Sequence, residues 1–219
     1  MSRYKPYPEY KDSGVEWIGE VPAHWESRPF WSLSRQVRRT GHKDEELLSV
    51  YRDHGVVPKS SRDDNKNRES EDLSSYQLVE PNNLVTNKMK TWQGSIAVSG
   101  LRGIVSPAYF IFEISRRAQP GFLHHLLRSS GYITGYMTVS KGIRVGQWDL
   151  DQDHFRYFPV LLPPIPEQQS IATFLDRETT RIDTLIQKTR ESIELLKERR
   201  SALITAAVTG KIDVREEAA

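Results

Sequence analysis

From Glu167 to Val208 the chain contains no proline and no glycine, and apolar residues return along it at alternating steps of four and three. Leu175, Ile182, Leu196 and Leu203 stand at seven-residue intervals, with Thr189 as the polar member of that line. Ile186, Ile193 and Ala207 form a second line four residues further on, interrupted by Arg200. Two such lines are the a and d positions of a heptad seam, a narrow stripe shaped to receive another helix. At 1.5 Å per residue, about 40 residues make a rod of roughly 60 Å, longer than a domain of this size needs for its own core. Pro163-Pro164-Ile165-Pro166 leads into the rod, and Glu167 places an acid in the first turn, where the helix dipole favours it. Gly210 stands at the C′ position. A second start near Asp176–Thr180 is an alternative, because Asp176 has the chemistry of a cap. A chain built this way is a globular head with a helix that pairs or measures distance.

The head must supply its own core, and 5 Trp, 9 Tyr and 7 Phe among 219 residues give it the means, although mean hydropathy is only −0.60. The absence of cysteine excludes disulfides, zinc–thiolate sites and cysteine nucleophiles, and agrees with a reducing cytoplasm. The first residues, MSRYKPYPEYKDSG, lack the apolar core of a signal peptide, and no apolar run approaches membrane-spanning length. Net charge is +2, but between Leu84 and Gln147 eight basic residues face the single acid Glu113, a local charge of +7. Such a stretch on a near-neutral chain is the footprint of a polyanion partner, with a solubilising surface as the alternative.

Along the chain, residues 1–29 read as an irregular arm held by Tyr4, Tyr7, Tyr10, Trp17 and Trp25, punctuated by four prolines. Residues 30–40 suit a short helix and Glu46–Tyr51 a strand. Residues 52–72 read as a loop, long enough to suggest a function, or as the start of a helix near Glu69–Tyr76. Asn83–Thr86 and Gly94–Val98 are expected strands around the turn NKMKTWQG; Ile104–Ile114 is another, its first half demoted by Pro107. Gly121–Ser129 is helical, 138–147 a glycine-punctuated loop, and His154–Leu162 a strand that runs into the prolines.

Catalytic constellations are missing. Thr209-Gly210-Lys211 lacks the upstream glycine of a phosphate loop. His124 and His125 are adjacent and have no acid at ligand spacing. Nucleic-acid chemistry is better represented. Lys88 and Lys90 can anchor phosphates, Asn87 and Gln93 can read an adenine edge, and Trp92 can stack on a base or plug the core. Lys141, Arg144 and Gln147 alternate with Gly142 and Gly146, which let cations approach a groove. Lys59, Arg62, Lys66, Arg68 and Arg102 complete the candidate DNA-binding set, and no metal ligands are expected.

Three segments carry a resemblance: YKDSGVEWIGEVPAHWE (Tyr10–Glu26), NKMKTWQGSIAVSGLRGIVSPAYFIFE (Asn87–Glu113), and the tail from LPPIPEQQSIATFLD to TGKID (Leu162–Asp213). Together the chain resembles the specificity subunits of type I restriction–modification systems. The tail is the specific part, with proline lead-in, glutamine pair and heptad helix in order. The resemblance implies an α+β fold, with a target recognition domain over 1–162 and a helical region over 163–219. That helix would form an antiparallel coiled coil and dock methyltransferase subunits. It implies a non-catalytic subunit that binds one half-site of double-stranded DNA. S-adenosylmethionine and ATP would belong to methyltransferase and restriction subunits. The usual subunit has two recognition domains and two helical regions, whereas this sequence shows one of each, so a homodimer or pairing with another half-subunit is implied. Leu175, Ile182, Ile186, Ile193, Leu196, Leu203 and Ala207 are the expected dimer interface. Two other classes stay open: a coiled-coil adaptor that binds only proteins, and a stand-alone nuclease.

Overall fold

The computed structural model describes residues 4–62, 70–144 and 147–215, with the backbone alone for 143, 144 and 147. It divides into two compact units, Met1–Ala172 and Thr173–Ala219.

The first unit is α+β. The arm is more regular than its composition suggests. Strands β1 (Tyr10–Asp12) and β2 (Glu20–Pro22) pair antiparallel, and β3 (Glu26–Pro29) follows. The expected helix over 30–40 is instead a 3-10 turn, Phe30–Ser32, and strand β4 (Ser34–Val37). The Ser32 and Ser34 hydroxyls donate to Pro29 O at 2.8 Å and Phe30 O at 3.0 Å, local bonds that compete with a helical ladder. Residues 52–72 also hold a strand: β5 (Leu48–Tyr51) turns back into β6 (Gly55–Pro58), with Gly55 at φ +70° closing the turn. The described part of Glu69–Tyr76 carries turns and no helix.

Next come β7 (Gln77–Val79), β8 (Leu84–Asn87), β9 (Ile96–Val98), β10 (Gly103–Val105) and β11 (Tyr109–Ile114). Pro107 splits the last two, as its missing N–H requires. The central sheet is antiparallel in the order β4-β11-β8-β9. Ile111, Val85 and Ala97 lie in register across it and pack with Leu48, Val50, Val79 and Val105. Leu84, Ile96 and Phe112 join the larger core on the other side. Both faces are thus covered, and the period of two sorts residues between two cores.

Helices α1 (Pro120–Arg128) and α2 (Ser130–Gly135) contribute Phe122, Leu123, Leu127 and Tyr132 to the larger core. The expected loop 138–147 is a hairpin, β12 (Ser140–Arg144) with β13 (Gln147–Leu150). The first half of the expected strand 154–162 is helix α3 (Gln152–Arg156), because Asp151 caps it by accepting from the backbone N–H of Asp153 at 3.0 Å and His154 at 3.1 Å. Strand β14 (Pro159–Leu162) then pairs with β3.

Helix α4 (Ile165–Val208) is continuous, with no second start at Asp176–Thr180. Its first turns belong to the first unit. Gln168, fully buried, accepts from Gln119 N at 2.8 Å and donates to Pro163 O at 2.8 Å. Glu167 ties down the arm: its carboxylate accepts from Tyr7 OH at 2.7 Å and Trp25 Nε1 at 3.0 Å, and meets His24 Nε2 at 2.7 Å. Partial burial pushes its pKa up, but the bonds from Tyr7, His24 and Trp25 together outweigh that and hold it below the ordinary value. Burial, then the bond to Glu167, raises the Tyr7 hydroxyl to about 12, so it stays a donor.

A lowered folded-state pKa means that this stabilisation is complete above the ordinary carboxylate range and is lost as pH falls through the folded value. Glu167→Gln is therefore expected to cost about 1–2 kcal/mol at pH 7, the scale of a charge-assisted hydrogen bond. The gap from wild type should narrow at pH 3; urea midpoints at the two pH values check both points.

Candidate nucleic-acid interface

Between β8 and β9 the chain makes a tightly tied turn. Asn87 Oδ1 accepts from Met89 N at 3.0 Å, and Asn87 O accepts from Lys90 N at 3.1 Å and Thr91 Oγ1 at 2.6 Å. Beneath it, the buried Thr86 and Thr91 hydroxyls bond at 2.7 Å. A 3-10 turn, Thr91–Gln93, ends at Gly94, whose φ of +90° is left-handed. The result leaves Lys90 and Gln93 exposed on a rigid loop. Lys88 is employed differently. Its ammonium donates to Pro107 O at 2.7 Å and sits 4.7 Å from the Phe110 ring centroid. Asn87 is half-buried and spends its side-chain oxygen on the turn. Trp92 is neither core plug nor free stacking surface: half-buried, it meets Trp148 edge-on at 5.0 Å and donates to Met89 O at 3.1 Å.

The hairpin β12–β13 lies on this turn, since Leu150 N donates to Lys88 O at 2.8 Å. Lys141 pairs with Asp151, and that ion pair, then the His154 N–H, holds the Asp151 carboxyl well below the usual carboxylate range. Arg144 and Gln147 are backbone register partners of β12 and β13. Lys59 opens the 3-10 turn after β6. Arg62 contacts His54 and lies 5.1 Å from the Tyr51 ring centroid. Lys66 and Arg68 lie outside the described residues.

The fold does not bring Arg102 to this face. It bonds Glu45 at 2.8 Å and Glu80 at 3.3 Å, and Glu80 and Glu113 also pair with Arg39. That network sits at the opposite end of β8, beyond Leu84, where Arg39 also contacts Asn83. The linear +7 stretch is thus divided, because acids from outside it fold onto part of it.

Sequence reasoning marked 52–72 as a loop long enough to suggest a function but did not single out Arg52 or Asp53, which lie in the turn between β5 and β6. Ser95 Oγ donates to Val50 O at 2.6 Å, fastening this hairpin to the Asn87–Gly94 turn. Arg128, noted in the sequence only as a charge, donates to Arg52 O at 2.5 Å. Trp148 was missed as well; its one sequence clue is position, in the strand after the basic hairpin tip.

In the second unit, the seam is exposed. Ile182, Ile186, Ile193, Leu196 and Leu203 are between 44% and 62% accessible, while Leu175 and Ala207 are half-buried. Leu185 and Ile204, which flank the two heptad lines, are exposed too, so the stripe is wider than the repeat alone indicates, and Leu195 is exposed on another face. The helix ends in a Schellman arrangement, with Gly210 at φ +69° and bonds from Gly210 N to Ala207 O (3.2 Å) and Lys211 N to Ala206 O (2.8 Å).

Among the described residues no group of His, Asp and Glu is placed to hold a metal, and no helix is long and apolar enough to cross a membrane. No protein-family model matches the chain. It is 24% identical to the type I restriction enzyme EcoKI specificity subunit of Escherichia coli, over 89% of this chain and 44% of that one. The crystal structure of the HsdS subunit from Thermoanaerobacter tengcongensis superposes with a TM-score of 0.55 at 19% identity, covering 85% of this chain and 49% of that one. A chain from a structure of type I R-M complex assembly and conformational transition gives 0.55 at 16% identity, over 89% and 51%. The chain spans about half the length of the proteins it matches.

Proposed function

We propose that this chain, a relative of type I restriction–modification specificity subunits with one recognition unit, reads one half-site of a bipartite double-stranded DNA target. It is non-catalytic in this reading. Methyltransferase subunits dock on it and carry S-adenosylmethionine; restriction subunits join the same cytoplasmic complex and use ATP. Two copies pair through the seam of α4, antiparallel, so the two-fold of the protein matches inverted half-sites. The observation that carries the reading is the pairing of this fold with the tied Asn87–Gly94 turn, which exposes Lys90 and Gln93 beside the β12–β13 hairpin.

Co-expression with a methyltransferase subunit, followed by mapping of methylated adenines, tests it. A palindromic bipartite motif is the expected result. An asymmetric motif would place the second recognition unit on another chain. An assembled complex that methylates nothing would overturn the reading in favour of an adaptor that binds only proteins.

Lys90 and Arg102 separate phosphate contact from internal pairing. Lys90→Ala is expected to weaken DNA binding evenly across sequences and to reduce the slope of log affinity against log salt by about 1. Arg102→Ala, which removes a charge already paired with Glu45 and Glu80, should leave that slope unchanged. Fluorescence anisotropy titrations from low to high salt measure both.

A further inference from the structure

We propose that the turn between β5 and β6 is a second DNA-reading element, in which Arg52 and Asp53 read one G·C base pair. This rests on the DNA reading above and adds residues to it.

The two side chains are 64% and 83% exposed, and their mutual contact, at 4.0 Å, is at the outer limit of an ion pair. Each keeps its hydrogen-bonding capacity. The backbone that carries them is fixed. Arg128 donates to Arg52 O at 2.5 Å, and its other terminal nitrogen meets His124. Arg128 is half-buried, with its Nε unpartnered among the described residues. A guanidinium placed there at a desolvation cost, on a backbone carbonyl, serves the position of that turn. Gly55 adopts φ +70°, the left-handed region that favours glycine, and a Cβ there would crowd Arg128 Nη1 at 3.2 Å.

The turn is also in the right place. A Cβ on Gly94 would lie 3.3 Å from Arg52 Cγ, so the turn abuts the loop that exposes Lys90 and Gln93. A guanidinium fork matches O6 and N7 of guanine, and a carboxylate accepts from N4 of cytosine. An exposed acid on this face also argues against a phosphate contact, since the backbone would repel it. Facing base edges, the same acid finds a donor.

Selection from a randomised duplex library with the purified chain tests this. Arg52→Ala should lose discrimination at one G·C position by roughly 5- to 100-fold, with the rest of the motif unchanged. Asp53→Ala should relax the same position. Arg52→Lys keeps the charge without the fork, so it should relax that position while keeping the salt slope. Identical motifs from wild type and Arg52→Ala would overturn the proposal. So would an even loss of affinity restored by lysine, which marks a phosphate contact. Wild type that enriches no motif would overturn the DNA reading itself, and this inference with it.

Discussion

If two copies pair through α4 as proposed, Ile186→Asp combined with Ile193→Asp is expected to yield a chain that stays monomeric where wild type self-associates, with the unfolding of the head unchanged. Both residues lie on one heptad line and are about 45% exposed, so they stabilise little in an isolated helix. In a paired seam each would be buried against apolar neighbours. A two-fold pair holds two copies of each site, so the double change places four carboxylates in the interface. At roughly 2 kcal/mol for each desolvated polar group, the penalty is about 8 kcal/mol, or on the order of a million-fold in Kd. Aspartate in mid-helix costs only a few tenths of a kcal/mol by propensity, so the helix survives. Sedimentation equilibrium read with circular dichroism separates the two effects. A double variant that dimerises like wild type would show that the seam serves another partner.

Phe155→Ala is expected to cost the head about 3–5 kcal/mol, the range for removing a buried phenylalanine. Phe155 is 1% exposed and stands at the centre of the aromatic cluster, 4.5 Å from the Phe30 ring, 5.7 Å from Phe158 and 6.2 Å from Phe112 and Tyr136. Phe158 aside, those rings come from elements far apart in sequence and are fixed by close packing, so the space left behind collapses poorly. The loss is a large share of a typical domain stability. It should appear as a fall in the urea midpoint of the head, with the slope of the transition preserved.

Legibility from sequence followed the range of the interactions. α4 was plain because its evidence is local and repeated: a 3.5-residue period broken only at Thr189 and Arg200, prolines at its start and Gly210 after it. Strands β8, β9 and β11 were legible for the same reason, their β-branched runs being bounded by Pro107 and the NKMKTWQG turn. Residues 30–40 misled because Leu33 and Val37 fall at helical spacing, whereas pairing of β4 with β11 and two serine back-bonds decide the structure. Lys141 and Gly142 read as loop, yet β12 pairs through a register shift that accommodates them. The site divides along the same line. The turn at 87–93 was visible as a composition. What each member does was not: Lys88 is held by Pro107 and Phe110, and Arg102 by acids more than twenty residues away in sequence, partners that only the fold supplies.

The fastening of the two turns proposed to read DNA has an evolutionary consequence. Ser95, Gly94, Gly55 and Arg128 hold the frame, while the exposed side chains of Arg52, Asp53, Lys90 and Gln93 contribute little to stability. Exposed positions of this kind tolerate replacement within about 0.5 kcal/mol. On the proposed reading, recognition can therefore drift by single substitutions without passing through unfolded intermediates, and descendants of one ancestor can come to recognise different sequences while keeping one architecture. In such lineages the tips should diversify fastest and the four anchors slowest.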